Sequence, residues 1–330
     1  MDLGLSRRCV LGGGAAALAG LAASALRIPA AAAADVRWAS LTPGFTVLMT
    51  EYIRHFKLDE KNGFKLAAPT VYTSVPTYYG DFVAGNYDVC IGSWDTFAVR
   101  HAGGVPIKLL CTVTTSDMVS LITGKNGPKA VGELKGKVIA APQSTGTYRM
   151  TKAIVKEFMG LDLEADATVQ NVTNPAASVT LLRSGGADAA LSWEPNISAA
   201  LAADANLQVI FTAGDVYKQR TGLSLPYFSV AVRNELISRD GQAVKRVNAV
   251  FKDCVDGIMG DVAGAVAIVG ERTGFAPAVL KDAISSKRLR FVYGPMSDLA
   301  ERKSIMTASD FFLRNGLLTR LPDDGFFALA

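Results

Sequence analysis

Ser184-Gly185-Gly186-Ala187-Asp188-Ala189 repeats the plan of Ala84-Gly85-Asn86-Tyr87-Asp88-Val89, one hundred positions earlier. Each segment reads as a helix end, a glycine turn and an aspartate before an apolar strand, and Trp193 or Trp94 follows. Strands that alternate with helices form sheets covered by helices on both faces, so the repeat predicts an α/β fold with two similar units. Ligands of such folds bind at the carboxyl ends of strands, and two facing units would form a binding cleft there.

The hydrophobic pattern continues to alternate on both sides of these segments. Strands are predicted at 36–41, 64–72, 87–92, 107–113, 119–123, 138–141, 187–192, 208–212 and 226–232. Helices are predicted around 47–56, at 75–84 and 175–184, starting at 96–101, and from an opening at 143–147 to about 159, with a short helix and turn at 131–137. From Leu236 onward the pattern is rich in helix and is interrupted near Gly274 and Pro295.

Composition excludes several classes of protein. The chain has 330 residues, which favours two structural units, and its 49% hydrophobic content argues against disorder. The 34 basic and 30 acidic residues leave a formal charge of +4. A nearly neutral chain lacks the basic surface that nucleic-acid binding requires, so no nucleic-acid partner is expected.

The first 34 residues are typical of an export signal. Ser6-Arg7-Arg8-Cys9-Val10-Leu11 resembles the twin-arginine signature, and the moderately apolar stretch 11–26 follows it. The run Ala32-Ala33-Ala34 fits the small-residue rule for signal cleavage, so cleavage is predicted after Ala34. A membrane anchor that stays attached is the alternative. The mature protein is expected outside the cytoplasm.

Motifs of catalysis are absent from the sequence. There is no Gly-x-Ser-x-Gly elbow, no phosphate-binding glycine loop and no metal-spaced cluster around the two histidines, His55 and His101. Cys90, Cys111 and Cys254 are widely spaced and read as buried thiols. No catalytic residue, metal or cofactor is therefore expected, and the protein is expected not to be an enzyme.

The loop Gln143-Ser144-Thr145-Gly146-Thr147 lies between a strand and a helix. Backbone N–H groups at a helix start, together with hydroxyls, bind anions without a charged side chain. Ordinary helix capping by Ser144 or Thr145 is the alternative. Thr42-Pro43-Gly44-Phe45 is the counterpart of this loop in the first unit.

Large side chains near the strand ends are further candidates. Trp94 and Trp193 could each supply a flat wall with one N–H donor, or could pack in the core. Tyr78, with its neighbour Tyr79, could line the cleft or lie on an ordinary helix surface. Glu194 could pair with a ligand amine or with a local arginine. Arg149 could face an anion, although a solvated position in the first helical turn is the simpler expectation.

The order and spacing of three segments carry a resemblance. They are VGELKGKVIA at 131–140, the loop 143–147, and Ala187 to Pro195, and the segment 84–92 adds a fourth match. Together they resemble the substrate-binding proteins of ABC transporters in the family that takes sulfonates, nitrate, taurine and thiamine-pyrimidine precursors. The resemblance implies a two-lobed periplasmic binding protein fold of the second type, each lobe a mainly parallel sheet flanked by helices.

Lobe boundaries and ligand loops follow from this resemblance. It implies one lobe at 35–118 plus 225–330, a second at 119–224, and hinge strands near 119–123 and 227–232. The ligand-binding residues it implies are Thr42, Gly44, Phe45, Ser74, Ser93, Trp94, Ser116, Ser144, Thr145, Gly146, Thr147, Trp193 and Glu194.

The function implied is the capture of a small organic anion, such as a sulfonate, a taurine-like compound or a carboxylate, in the periplasm. Implied partners are the membrane permease and ATPase of an ABC importer and the twin-arginine export machinery, and a monomer is expected. Trp94 stands where many members carry a small or acidic residue, so a larger or aromatic ligand is an alternative. A thiamine-pyrimidine precursor, another heterocycle, or an exported small-molecule enzyme also stay open. The scattered cysteines argue against the family's pyrimidine synthases.

Overall fold

A computed structural model describes residues 35–329 of the chain. The predicted export signal and its cleavage site after Ala34 lie outside the described residues. Within them, strands and helices alternate much as the hydrophobic pattern predicts.

Three runs of elements follow one another along the chain. The first run is β1 (Ala39–Leu41), α1 (Phe45–Phe56), α2 (Leu58–Lys61), β2 (Thr70–Tyr72), α3 (Val75–Ala84), β3 (Val89–Ser93), α4 (Trp94–Ala102) and β4 (Ile107–Thr114). The second is β5 (Val119–Gly124), β6 (Val138–Ala141), α5 (Gly146–Met159), α6 (Leu163–Asp166), β7 (Thr168–Asn171), α7 (Pro175–Arg183), β8 (Ala189–Trp193), α8 (Asn196–Ala203), β9 (Leu207–Thr212) and α9 (Ala213–Thr221). The third is β10 (Phe228–Arg233), α10 (Asn234–Arg239), α11 (Ala243–Gly260), α12 (Val262–Val269), α13 (Pro277–Ser285), β11 (Phe291–Pro295) and α14 (Leu299–Arg314).

The strands form two main sheets. Sheet A has the order β11-β4-β10-β3, and sheet B has the order β7-β6-β8-β5-β9. The parallel pair β1–β2 adjoins sheet A through a parallel bridge between Trp38 and Val89. Sheet B lies wholly within residues 119–224, which we call the B part, and we call residues 35–118 and 225–329 the A part. The implied division into two moving lobes stays a prediction.

The α/β fold class is confirmed. Sheet B is mixed: β6 pairs in parallel with β7 and β8, as strand–helix–strand units require, whereas β5 runs antiparallel to β8 and β9. Within sheet A, β4 runs antiparallel to β10 and β11, and β10 runs antiparallel to β3, so each pairing is antiparallel. β5 and β10 are the strands by which the chain enters one part from the other, and each runs opposite to its neighbours.

The chain crosses between the parts twice, at 114–119 and at 222–228. The two crossings lie side by side, because Thr115 and Pro226 form an antiparallel bridge. The Ser116 N–H donates to Leu225 O at 3.0 Å, and the Tyr227 N–H donates to Thr114 O at 2.9 Å. β5 lies within sheet B and β10 within sheet A. The segments that connect the two parts are therefore the crossings, which come just before the strands predicted as hinges.

Local sequence accounts for the elements that hold the site. Ser74 caps α3, Pro76 lies in its first turn, and Gly85 ends it at φ 84°. Side chains other than glycine rarely adopt that left-handed conformation. Thr145 caps α5, which ends at Gly160 with φ 72°. The short strands β7 and β11 were not predicted, because neither is a buried apolar run: β7 is largely exposed and most of β11 is half-buried.

Candidate functional site

A small cavity lies where the A part meets the B part. A water-sized sphere can occupy about 20 Å³ of it, which is room for about one water molecule. Small-molecule sites usually measure about 300–1,000 Å³, so a ligand would need the two parts to lie further apart than they do here. Its lining residues are Leu41, Val75, Tyr78, Tyr79, Ser93, Thr145, Gly146, Thr147, Trp193, Tyr227 and Phe228. None of these eleven residues carries a formal charge at neutral pH.

Tyr78 contributes only its ring to the cavity. Its hydroxyl donates to Ile91 O at 3.0 Å and accepts from the Ile91 N–H at 3.1 Å. Both hydrogen-bonding capacities that a buried phenol normally uses are thus occupied by the backbone of β3. Tyr78 therefore joins α3 to β3 and presents an apolar surface to a ligand.

Tyr79, the next residue of α3, keeps a proton to donate. Its hydroxyl accepts the Ser93 N–H at 2.9 Å, and no acceptor for its own proton is found among the described residues. Burial raises the pKa of Tyr79 to about 12, so the phenol stays protonated at neutral pH. The Arg100 guanidinium lies over its ring, 4.7 Å from the centroid. Tyr79 is therefore a donor toward the cavity with a cation beside its ring.

The start of α5 forms the opposite wall. Thr145 Oγ1 accepts the Tyr148 N–H at 3.4 Å and donates to Pro142 O at 2.7 Å, so this hydroxyl acts as the helix cap. The Gly146 and Thr147 amides belong to the first turn, where a helix leaves N–H groups without carbonyl partners. The Thr147 hydroxyl pairs with the hydroxyl of Tyr227, a residue of the second crossing. α5 thus brings free backbone donors to the cavity.

Trp193 closes one side of the cavity. It is the last residue of β8 and is 5% exposed. Its indole N–H makes no hydrogen bond to any described residue, so it remains a donor for a ligand. The cavity therefore combines ring faces with neutral donors, an arrangement that suits an oxygen-rich acidic group on a small carbon skeleton.

An ion pair lies directly behind the cavity wall. Asp95, in the first turn of α4, pairs with Arg149, in the first turn of α5; Arg149 Nη2 lies 2.7 Å from Asp95 Oδ2. Burial opposes the charge on Arg149, but the attraction and hydrogen bond of Asp95 outweigh it and raise the pKa of the guanidinium. Neither expectation for Arg149 is met, because it is neither a solvated first-turn residue nor part of the cavity lining.

Six of the predicted site residues line this cavity: Tyr78, Ser93, Thr145, Gly146, Thr147 and Trp193. Two more lie close to it. Thr42 lines an adjoining recess that shares Leu41 and Val75 with the cavity. Ser74 caps α3 one position before Val75, with its Oγ 3.5 Å from the Thr77 N–H.

Trp94 and Phe45 are not part of the cavity. The Trp94 ring stacks on Phe312 at a centroid distance of 5.1 Å, and its Nε1 donates to Pro226 O at 2.9 Å. Phe45 packs edge-on against Phe228 and is 1% exposed. Both are core residues, as the alternative reading of Trp94 held.

Four other predicted residues lie outside the cavity as well. Glu194 is fully buried and accepts a hydrogen bond from Arg288 Nε at 3.0 Å, so it pairs with an arginine as the alternative held, although that arginine lies 94 positions away in the A part. Burial raises the pKa of its carboxyl, against the opposing bonds from Ser198 and Arg288. Ser116 is buried in the first crossing, and Ser144 is exposed. Gly44 begins α1, where its N–H donates to Thr273 O at 2.9 Å.

Sequence reasoning did not name Leu41, Val75, Tyr227 and Phe228. Leu41 and Val75 each lie one position from a predicted residue, Thr42 or Ser74. The sequence therefore identified the correct strand and helix ends, but not which side chains there face the cavity. Tyr227 and Phe228 begin the strand predicted to cross back. A segment that crosses between two units lies against the cleft between them, and that signal could have identified both residues.

Within 35–329 no group of three or more His, Cys, Asp or Glu side chains is placed to hold a metal ion. No helix in the same range combines the length and the apolarity needed to cross a bilayer.

Comparison with solved structures identifies the fold of the chain. The periplasmic aliphatic sulphonate binding protein SsuA of Escherichia coli superposes with a TM-score of 0.71 at 16% identity, over 89% of this chain and 92% of that protein. The alkanesulfonate-binding SsuA of Xanthomonas axonopodis pv. citri, solved with MOPS, gives a TM-score of 0.70 at 18% identity, over 88% and 95%. The chain has the periplasmic binding protein fold. At these identities the likeness concerns the fold and not the ligand.

Sequence comparison adds a more limited similarity. Proteins named "Putative binding protein" from Brucella abortus and Brucella suis are 28% identical over 198 residues. That alignment covers 60% of this chain and 58% of the Brucella proteins, so it spans little more than half of the relatives' length. No family model matches the chain.

Proposed function

We propose that this chain is the solute-binding component of an ABC importer and captures a small organic anion, such as a sulfonate, a taurine-like compound or a carboxylate. The observation that carries the proposal is the uncharged, donor-rich cavity between the two parts. Tyr79, Trp193 and the first amides of α5 can each donate to an acidic group, while the rings of Tyr78 and Phe228 contact its carbon skeleton. The sulfonate-binding proteins of the same fold support this ligand class.

Calorimetry with taurine, methanesulfonate and acetate tests the ligand class directly. Binding of one of them at one molecule per chain is the expected result. Tyr79→Phe removes the donor and keeps the ring, and should weaken that binding about tenfold, the loss expected for one hydrogen bond to a charged group. Tyr72→Phe is the matched control, because the Tyr72 hydroxyl bonds to Asp81 at 2.6 Å outside the cavity. Equal losses in both variants would count against this site.

A heterocycle such as a thiamine-pyrimidine precursor is the second candidate ligand. The aromatic residues Tyr78, Tyr79, Trp193, Tyr227 and Phe228 surround the cavity, and ring faces of this kind also stack on flat ligands. Mass spectrometry of the ligand that co-purifies with the protein, together with calorimetry against formylaminopyrimidine, separates the two candidates.

The proposal includes a role in binding without catalysis. A binding component traps its ligand and releases it unchanged to the membrane permease, while the partner ATPase supplies the energy. Incubation of the purified protein with its ligand should therefore return the ligand unaltered. A product that forms with turnover would identify an exported enzyme instead.

Export by the twin-arginine route with cleavage after Ala34 belongs to the same proposal, as does a monomer in the periplasm. The support is the pair Arg7-Arg8 with the apolar stretch and alanine run that follow. Replacing both arginines by lysine should keep the protein in the cytoplasm, and the exported protein should begin at Asp35. A normal yield of periplasmic protein from the lysine variant would contradict this route.

A further inference from the structure

The ion pair Asp95–Arg149 joins the A and B parts beside the cavity. Asp95 is 1% exposed, and Arg149 approaches its Oδ2 with Nε at 2.8 Å and Nη2 at 2.7 Å. Arg149 also donates to the Thr96 hydroxyl. One hydrogen bond to the carboxylate, a close Nη2–Oδ2 contact and a hydrogen bond to a neighbouring hydroxyl hold the guanidinium in one orientation.

The pair touches the cavity wall through Gly146. A Cβ atom placed on Gly146 would lie 2.3 Å from Asp95 Oδ1 and 2.4 Å from Ser93 Oγ. Gly146 and Ser93 both line the cavity, so the Asp95 carboxylate lies just behind the lining. The absence of a side chain at Gly146 is what allows this approach of α4 to α5.

Two cations lie near the wall, and their surroundings differ. Arg100 contacts the wall through the Tyr79 ring and makes no ion pair with any described acidic side chain. Arg149 is held by Asp95. An anion in the cavity could recruit Arg149 only by leaving the Asp95 carboxylate buried without its partner. Breaking a buried pair in this way is costly, because the remaining charge loses its compensation.

We propose that Asp95 sets the charge selectivity of the cavity by holding Arg149 away from the ligand. In the wild-type protein the ligand meets neutral donors alone, which favours a group with one negative charge. With Asp95 neutralised, Arg149 becomes available and favours a group with two charges. This inference rests on the proposed function, since it presupposes an anionic ligand.

The probes are methanesulfonate and methylphosphonate, which share a shape and differ in charge. Their dissociation constants are measured by calorimetry at a pH at which the phosphonate carries two charges. Asp95→Asn should shift the ratio of the two constants toward the phosphonate by tenfold or more. Arg149→Gln should shift it in the opposite direction, because the Asp95 charge is then uncompensated. The double variant should return close to the wild-type ratio.

Glu157→Gln is the matched control. Glu157 pairs with Arg314 at 2.8 Å, also between the B and A parts, and neither residue lines the cavity. The same change from acid to amide at that pair should leave the ratio unchanged. Circular dichroism and the melting temperature confirm that each variant is folded. If Asp95→Asn does not fold, the opposite shift in Arg149→Gln still tests the inference.

Failure of this inference is distinguishable from failure of the proposed function. Binding of either probe by the wild type, with a ratio that stays within twofold in both single variants, overturns the selectivity role of Asp95 alone. A shift of equal size in Glu157→Gln overturns it too, because general weakening of the contact between the parts would then explain the change. If the wild type binds taurine or acetate but neither it nor the variants bind either probe, this inference fails and the proposed function stands. If the wild type binds none of taurine, methanesulfonate and acetate, and no variant binds either probe, both proposals fail.

Discussion

β3 in the A part and β8 in the B part start from the same arrangement. Each begins directly after an aspartate whose carboxylate accepts a neighbouring backbone N–H: Arg37 N to Asp88 at 3.0 Å, and Val138 N to Asp188 at 2.9 Å. Five residues later the strands end at Ser93 and Trp193, and both of these side chains line the cavity.

The helix before each strand follows the same correspondence. The Tyr78 hydroxyl of α3 donates to Ile91 O at 3.0 Å, and the Ser178 hydroxyl of α7 donates to Leu191 O at 2.8 Å. The two parts therefore share a backbone framework. They differ in which positions carry the large side chains that line the cavity. The A part fills its side of the cavity from the helix, with Tyr78 and Tyr79, whereas the B part fills its side from the strand end, with Trp193.

Trp94 and Trp193 are consequently not equivalent residues. Counted from the aspartates, Trp94 corresponds to Glu194, and both are buried away from the cavity. Trp193 corresponds to Ser93. A difference of one residue between aspartate and tryptophan is enough to separate them, because a one-position shift at a strand end turns the side chain away from its former face.

Substituting the two tryptophans should have the largest effect on stability, and the loss of unfolding free energy should differ between the two variants. Trp94→Ala removes a ring packed in the core and is expected to cost about 3–5 kcal/mol of unfolding free energy. Trp193→Ala should cost less than half as much, because its ring borders a cavity on one side. Urea denaturation of both variants measures the two losses. Similar losses would contradict the correspondence of Trp193 with Ser93.

The next largest effect is expected at Gly92, whose counterpart is Ser192. A Cβ atom at Gly92 would lie 2.4 Å from the Tyr79 hydroxyl oxygen, so Gly92→Ser should displace Tyr79 and cost about 1–3 kcal/mol through overpacking. Ligand affinity should fall as well. Ser192→Gly, the reciprocal change, loses a hydrogen bond of 3.0 Å to Pro175 O and should leave affinity unchanged. A harmless Gly92→Ser would show that α3 is not held closely against β3.

A third comparison concerns binding at the strand ends. Trp193→Ala should weaken ligand binding more than tenfold, since a buried aromatic contact at the centre of a site commonly carries that much. Ser93→Ala should weaken it less, because the Ser93 hydroxyl already donates to Thr96 Oγ1 at 2.7 Å. Calorimetry with whichever of taurine, methanesulfonate and acetate binds the wild type checks both. The reverse order of losses would place the main contact in the A part.

The smallest effect is a pH dependence that should distinguish the two aspartates. Burial opposes ionisation of Asp88, but hydrogen bonds from Arg37 outweigh it and lower the pKa of the Asp88 carboxyl. Its contribution to stability is therefore present above about pH 4, near the unfolded pKa of aspartate, and is lost as the pH falls through the folded value.

Asp88→Asn should accordingly lower stability at pH 7 and reduce the loss of stability on acidification. Asp188→Asn is the counterpart and the control for loss of a carboxylate at this position, since no arginine or lysine pairs with Asp188 among the described residues. Urea denaturation at pH 7, 4 and 3 gives both profiles. Parallel profiles for the two variants would contradict the role assigned to Arg37.

Much of the fold could be predicted from the sequence because the strands are apolar runs bounded by glycine turns and capped helices. α3 at 75–84 and β6 at 138–141 agree with their predicted bounds residue for residue. The start of α5 was also predictable, since Thr145 and Gly146 lie where a capped helix begins. The partly exposed β7 and β11 were not, because pairing in a sheet and not their own composition makes them strands.

The site was less predictable for a related reason. Whether a side chain faces the cavity or the core depends on register, and a tryptophan is compatible with either environment. Trp94 was aligned with Trp193 by residue type, whereas the backbone aligns it with Glu194. Arg149 likewise could not be placed, because its partner Asp95 lies 54 positions away and meets it only once the two parts are in contact.

The three cysteines of the described chain have a practical consequence for spectroscopy. Cys90, Cys111 and Cys254 are each 0% exposed, and burial raises the pKa of all three thiols, that of Cys90 to about 12. Native thiols of this kind react slowly with maleimide dyes. In a chain that starts at Asp35, cysteines introduced at the exposed positions Thr77 and Ser144 would thus be labelled selectively. Energy transfer between the two dyes would then test whether the predicted lobes move relative to each other in solution, without any change to the native cysteines.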